Sequence, residues 1–171
     1  GGPVGPDGAT HQMLEDMALM RVLPNMTVIS PCDAVEAQKA TIAAAKLGSP
    51  VYMRFGREKT PIMTTPETSF EIGKAQVMWR PSAAGAAPTI ALFATGPLLF
   101  NALMAARELE KEGILVSVTN VHTIKPLDAD TIAGEAKAVK AVVTIEEHQV
   151  VGGMGSAIAE LLARECPRQM A

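Results

Sequence analysis

Aromatic residues, positive charge and long apolar runs are all scarce in this sequence. Its 171 residues include one Trp, one Tyr and four Phe, and the formal net charge is −3. Nucleic-acid binders need a basic face and stacking aromatics, so this composition disfavours that class. No apolar run approaches the roughly 20 residues that span a bilayer, and no secretory signal is recognised. We therefore expect a globular, cytoplasmic protein with no nucleic-acid or membrane partner.

Cysteine and histidine are also too few and too scattered for a metal or disulfide framework. Cys32 and Cys166 are far apart and form no C-x-x-C motif. Reduced structural thiols are therefore expected. His11, His122 and His148 show no zinc-ligand spacing, and we expect no metal site.

The first 59 residues alternate helix and strand. A helix is predicted after Thr10, followed by the short strand "MTVIS". A capping box formed by Asp33 and Glu36 predicts a second helix, and "PVYMRF" reads as the next strand. This alternation indicates an α/β domain with a parallel sheet. The pattern begins in a loop with no strand before it, so we expect residues 1–59 to be only part of a domain.

The remainder is predicted to be a linker and a second α/β domain. Residues 60–88 are rich in proline and contain one predicted strand, "FEIGKAQVMW". Residues 89–171 contain three buried strands separated by helices, which indicates a small three-layer α/β domain. The chain ends just after the last predicted helix, so this domain is expected to be truncated as well. Two interrupted domains suggest a fragment.

The stretch "GPDGATHQMLEDMALM" contains the first candidate site. His11 would lie in the first turn of a helix, where the helix dipole disfavours an imidazolium. A neutral imidazole there can exchange hydrogen bonds with a substrate oxygen, and Asp7 is close enough in sequence to bind a hydroxyl. The alternative is that Asp7 caps the loop and His11 lies on a solvated helix end.

Two further segments are candidates for anion binding. Arg54 and Arg57 in "RFGRE" come at the end of a strand, where guanidinium groups suit a phosphate, but the residues alone favour a pair of surface charges at a domain boundary. The glycines of "EEHQVVGGMGSAIAELL" could cradle an anion at a helix start. Their spacing does not match a dinucleotide fingerprint, so close strand-to-helix packing is the favoured explanation. The residues just before them, 146–148, are expected to face a neighbouring domain.

Taken in order, these segments resemble the transketolase family of thiamine diphosphate enzymes. "DGATHQMLEDMALMRVLPNMTVISPCDAVEA" is similar to the family's DG-x-[ST]HQ, LPN and P-x-DA-x-E run. "SPVYMRFGRE", "VHTIKPLD" and "TIEEHQVVGGMGSA" resemble the segments that follow. The greatest similarity is to a separately encoded C-terminal section. The implied fold is part of a pyrimidine-binding domain followed by a transketolase C-terminal domain.

The resemblance implies a role for each candidate residue. Asp7 and His11 match the family aspartate and histidine that bind the donor sugar's hydroxyls, with His11 also polarising or deprotonating donor oxygens. Gln12 belongs to the same motif and has a supporting role. Arg57 matches the arginine that binds the sugar phosphate, and Arg54 is the alternative if the register differs. The implied reaction transfers a two-carbon ketol unit from a ketose phosphate to an aldose phosphate.

Thiamine diphosphate and magnesium are the cofactors that the resemblance implies. The family's upstream glutamate, its stacking aromatic and its GDG…N magnesium motif are not found in this sequence. We therefore expect no cofactor-binding residues, no activity of the chain alone, an N-terminal diphosphate-binding partner and a dimer.

Three alternatives to a transketolase stay open. They are 1-deoxyxylulose-5-phosphate synthase, a non-catalytic assembly or regulatory module and, more distantly, the β subunit of a 2-oxoacid dehydrogenase.

Overall fold

The computed structural model describes residues 8–83 and 85–171. Within them there are five α-helices and eight β-strands, and the strands form two sheets. In chain order the elements are α1 (Asp16–Val22), β1 (Thr27–Ile29), α2 (Ala34–Leu47), β2 (Val51–Met53), β3 (Gln76–Trp79), β4 (Ile90–Ala94), α3 (Leu99–Lys111), β5 (Val116–Asn120), β6 (Thr123–Lys125), α4 (Ala129–Lys137), β7 (Ala141–Ile145), α5 (Met154–Glu165) and β8 (Gln169–Met170).

The first sheet has three strands in the order β2-β1-β6. Strands β1 and β2 run parallel, as the alternation of helix and strand predicts. Strand β6 is antiparallel to β1 and comes from the second half of the chain. No strand is predicted in "HTIKPLD", because three residues carry too little pattern to identify a strand.

The second sheet has five strands in the order β3-β5-β4-β7-β8. Strand β3, the predicted strand of the linker, is antiparallel to β5 and forms one edge. All other pairings in this sheet are parallel. The short strand β8 at the other edge was not predicted.

Helices cover both faces of the second sheet, which confirms the predicted three-layer arrangement. Leu92 of β4 packs with Leu99 and Ala102 of α3 on one face. Its neighbour Phe93 packs on the opposite face with Ile132 of α4 and Ile158 of α5. This alternation follows from the two-residue period of a strand. The cluster around Phe93 also contains buried residues of the first sheet, Val28 and Ile124. The two halves of the chain are therefore packed against each other.

The predicted start of α2 is correct and that of α1 is wrong. The side chains of Asp33 and Asp128 accept hydrogen bonds from the N–H groups of Glu36 and Thr131, capping α2 and α4. Helix α1 was expected to begin after Thr10 but begins at Asp16, and a short 3-10 helix occupies Ala9–His11. His11 is therefore not in the first turn of an α-helix, and the helix-dipole argument for its neutrality does not apply.

The predicted capping box at α2 is only half formed. Asp33 caps the N–H of Glu36, but the Glu36 carboxylate accepts from the N–H of Cys32 instead of that of Asp33.

No helix in the described parts of the chain combines the length and apolar character needed to cross a membrane.

Candidate functional site

A pocket of about 380 Å³ opens beside the loop that follows β2. Arg57 and Lys59 line it from that loop, and Asp33 and Ala34 line it from the start of α2. Both cationic side chains are exposed. The two cations and the helix N-terminus favour an anion here, while the carboxylates of Asp33 and Glu58, which also line the pocket, oppose it. Of the candidate site residues, Arg57 lines this pocket, and Lys59, which also lines it, was not singled out from the sequence.

Asp33 has a structural task at this pocket. Its carboxylate accepts hydrogen bonds from the backbone N–H groups of Glu36, Met63 and Thr64, at 2.8, 2.7 and 2.6 Å. Burial alone would raise the pKa of Asp33, but these hydrogen bonds outweigh it and lower the pKa. The ionised side chain thus ties the segment after the pocket loop to α2.

Arg54 lies inside the protein and not in the pocket. Its Nε is 3.1 Å from Oδ2 of Asp16, and both side chains are almost fully buried. Its guanidinium also donates to the backbone carbonyls of Glu147 and Met13. Arg54 therefore joins β2 to the start of α1 and to the second half of the chain. This geometry favours Arg57 over Arg54 as the candidate phosphate ligand.

Tyr52 completes this buried group. Its hydroxyl donates a 2.7 Å hydrogen bond to Oδ2 of Asp16. Burial, together with Asp16, raises the pKa of Tyr52 to about 12, so the hydroxyl keeps its proton.

The opening loop is only partly described. Asp7 lies outside the described residues. His11 ends the short 3-10 helix, its side chain is exposed, and its Nδ1 is 3.0 Å from the hydroxyl of Thr10. Gln12 is also exposed. Neither His11 nor Gln12 lines the pocket around Arg57.

The glycine-rich turn before α5 carries an internal anion. Both carboxylate oxygens of Glu146 accept hydrogen bonds of 2.7 Å, from the N–H groups of Met154 and Gly155. A Cβ on Gly153 would lie 2.6 Å from Oε1 of Glu146, so glycine is needed to admit this carboxylate. Close packing is therefore confirmed as the reason for the glycines, and the position that a phosphate would use is filled.

Of residues 146–148, which were expected to face a neighbouring domain, Glu147 and His148 contact the first half of the chain, whereas Glu146 binds the start of α5 in its own domain. His148 accepts from the N–H of Ala18 through Nε2 and lies 2.7 Å from the carbonyl of Gln149 through Nδ1. A ring that accepts at Nε2 and donates at Nδ1 is neutral. Arg21 of α1 donates to the carbonyls of Gly152 and Gly153. These long-range contacts could not be found from the sequence, because they join elements more than a hundred residues apart.

The described residues contain no group of three or more His, Cys, Asp or Glu side chains that could hold a metal ion. Together with the filled glycine turn, this means that the described residues do not fit a metal-bound diphosphate.

Two family models match the chain. The model of the transketolase pyrimidine-binding domain matches residues 1–63, and the model of the transketolase C-terminal domain matches residues 84–170.

Curated relatives match over nearly the whole chain. A putative transketolase C-terminal section from Methanocaldococcus jannaschii is 38% identical over 94% of this chain and 48% of its own length. Transketolase-like protein 1 from Bos taurus is 38% identical over 95% of this chain and 27% of its own length. A 6-deoxy-6-sulfo-D-fructose transketolase subunit from a Clostridium species is 37% identical, again over 48% of its own length. The chain thus spans between about a quarter and about half of these relatives.

Solved transketolase structures are also similar to this chain. A split-gene transketolase, described as an inactive β4 tetramer, superimposes with a TM-score of 0.88 at 40% identity, covering 95% of this chain and 52% of that one. Transketolase from Campylobacter jejuni shares the fold, with a TM-score of 0.73 at 23% identity over 96% of this chain and 24% of its own. The two family models and these relatives show that the chain belongs to the transketolase family and corresponds to the C-terminal section of its members.

Proposed function

We propose that this chain works with an N-terminal section to transfer a two-carbon ketol unit from a ketose phosphate to an aldose phosphate. The observation that carries the proposal is the pocket around Arg57, where two cationic side chains meet the N-terminus of α2. Arg57 binds the sugar phosphate there through its guanidinium, which can donate two parallel hydrogen bonds to phosphate oxygens. Arg54 holds β2 in place beneath this loop.

In this proposal the opening loop binds the sugar itself. His11 and Asp7 hydrogen-bond the donor hydroxyls, and Gln12 supports them. In the described residues, no hydrogen-bond partner holds Nε2 of His11, whereas the Thr10 hydroxyl lies beside Nδ1. Nε2 can therefore reach a sugar oxygen and move a proton there. General acid–base assistance of this kind accelerates a step by ~10²–10⁴.

Thiamine diphosphate, when bound, supplies the electron sink that makes ketol transfer possible. The metal and the diphosphate are assigned to the N-terminal section, since the described residues of this chain offer no ligand cluster for them. The isolated chain is then expected to show neither turnover nor saturable binding of thiamine diphosphate by calorimetry.

The test is an assay of the chain reconstituted with its N-terminal section. We expect turnover of xylulose 5-phosphate with ribose 5-phosphate and none of pyruvate with glyceraldehyde 3-phosphate. Arg57→Gln should raise KM for both sugar phosphates by about tenfold or more, because a charged hydrogen bond contributes about 1.5–3 kcal/mol. Arg107→Gln, in the exposed part of α3 away from the pocket, is the matched control. Turnover of pyruvate instead would identify the synthase.

A non-catalytic assembly role is the second candidate, because the similar split-gene protein is described as a β4 tetramer. This chain also exposes apolar side chains on α1 and on the loop before α5, including Val22 and Val150, which are 74% and 90% exposed. Such surfaces favour self-association. Under this candidate the reconstituted enzyme keeps its full activity when His11 is replaced by Ala. Light scattering gives the oligomeric state of the chain alone.

A further inference from the structure

A buried carboxylate lies directly beneath the Arg57 pocket, where the two halves of the chain meet. Glu36, in the first turn of α2, is 2% exposed. Its Oε2 accepts a 2.7 Å hydrogen bond from the N–H of Cys32. Its Oε1 accepts a 2.7 Å hydrogen bond from the side-chain amide of Asn120, the last residue of β5. Glu36 thus links the second sheet to the main chain beneath the pocket.

The Cys32 end of this link is part of the pocket wall. Cys32 and Asp33 both line the pocket opposite Arg57. Glu36 fixes the main chain at Cys32, and Asp33 fixes the N–H of Glu36 in return. A series of hydrogen bonds that ends at Asn120 in the other domain therefore fixes the position of the start of α2 in the pocket.

Apolar packing cannot replace this link. Without the carboxylate, the N–H of Cys32 would be left buried without its partner, and the amide of Asn120 would keep only a weak 3.9 Å contact with Sγ of Cys32, which destabilises their positions. Glutamine can replace it, because Oδ1 of Asn120 has no hydrogen-bond partner in the described structure. If the Asn120 amide rotates, this oxygen accepts from the glutamine NH₂ while the glutamine oxygen accepts from Cys32.

We infer that Glu36, held by Asn120, is a positioning residue that sets the anion-binding geometry of the Arg57 pocket. Through this pair the C-terminal domain controls how tightly the pocket binds a phosphate group. The inference rests on the proposed function, because it takes the phosphate of the substrate to bind beside Arg57.

The experiment titrates the full chain with inorganic phosphate and, separately, with ribose 5-phosphate, following the backbone amide signals of Cys32 and Arg57 by NMR. Wild-type chain should bind saturably, and Arg57→Gln should abolish binding. Glu36→Ala should raise Kd about three- to tenfold, the loss expected when one buried hydrogen bond no longer fixes the pocket wall. Glu36→Gln should stay within about twofold of wild type, since it restores both hydrogen bonds. Asn120→Ala should weaken binding as Glu36→Ala does, and it serves as the test if Glu36→Ala does not fold.

Asp128→Asn is the matched control. Asp128 is also a buried carboxylate that holds a backbone N–H, that of Ala75, but it does not line the pocket. This variant should lower the melting temperature and leave Kd unchanged, so a loss of stability alone is separated from a loss of pocket geometry. The inference is overturned if Glu36→Ala and Asn120→Ala bind phosphate as wild type does, or if Asp128→Asn weakens binding equally. Failure of wild-type chain to bind, or binding that ignores Arg57→Gln, overturns the proposed phosphate site itself.

Discussion

The stability of the chain should fall as the pH is lowered from about 6.5 to about 4, because His122 is buried without a partner for one ring nitrogen. The side chain is 0% exposed. Its Nδ1 is 2.9 Å from the hydroxyl of Thr123, and its ring centroid is 4.4 Å from that of Phe70. Its Nε2 has no hydrogen-bond partner in the described structure. Burial lowers the pKa of His122 from 6.5 to about 4, with Asp128 acting weakly in the opposite direction.

Lowering the pH destabilises the folded state because the unfolded state binds a proton on His122 at a higher pH than the folded state does. The unfolded chain protonates His122 near pH 6.5, whereas the folded chain resists protonation until about pH 4. The contribution of the neutral ring is therefore complete above pH 6.5 and is lost as the pH falls. Each pKa unit corresponds to about 1.4 kcal/mol, so the free energy of unfolding should drop by about 3 kcal/mol over this range. That is a large share of the 5–15 kcal/mol typical of a folded domain.

Urea denaturation of the full chain at a series of pH values measures how the free energy of unfolding changes with pH. His122→Gln removes the titrating group and should flatten the pH dependence by about 3 kcal/mol relative to wild type, whatever its effect at neutral pH. Comparing the two proteins at each pH cancels the contribution of the carboxyl groups. His11→Gln, at an exposed position, is the control for the substitution itself. Parallel curves for wild type and His122→Gln would refute the reasoning.

The other predictions concern buried charges and the glycine turn. Arg54→Met leaves the Asp16 carboxylate buried and unpaired, and should lower the free energy of unfolding by about 3–5 kcal/mol. Adding Asp16→Asn should recover part of that loss, and a double variant no better than the single one contradicts the ion pair. Gly153→Ala should destabilise by about 1–3 kcal/mol in urea, because its Cβ overlaps the Glu146 carboxylate. A change under about 0.5 kcal/mol argues against that contact. The pKa of Asp33 lies below the ordinary aspartate value of 3.8 in the folded chain. Its ionised side chain therefore stabilises the fold above pH 3.8, and this stabilisation is lost as the pH falls further. Acid titration of Asp33→Asn should lack this final loss.

Much of the fold follows from local patterns. Asp33 and Asp128 cap their helices, and each cap joins residues only three apart, so a short window of sequence contains the whole interaction. Strand β4 is a continuous apolar run buried between two helical layers, which is the signature of a central parallel strand. The start of α1 was misjudged because Thr10 is a good cap by type but the chain turns into a 3-10 helix there.

Less of the candidate site than of the fold could be predicted from the sequence. Arg57 was identified because its motif resembles that of a family, and the pocket around it gives a physical reason for a cation there. Arg54 could not be separated from it by sequence, since both follow the same strand. Only the position of Asp16, 38 residues earlier in the chain, shows that Arg54 is an internal ion-pair partner.

The sequence by itself determined the longer helices and strands and their order, the cap of α2 and the family, because each depends on residues that are neighbours in the chain or on an ordered set of short motifs. Only the tertiary structure decided that β6 crosses back to pair with β1, and that Glu36 meets Asn120 across 84 residues. Such contacts depend on how two sheets pack and in which register. No local propensity encodes that choice, because the groups that meet are brought together only when both cores have formed.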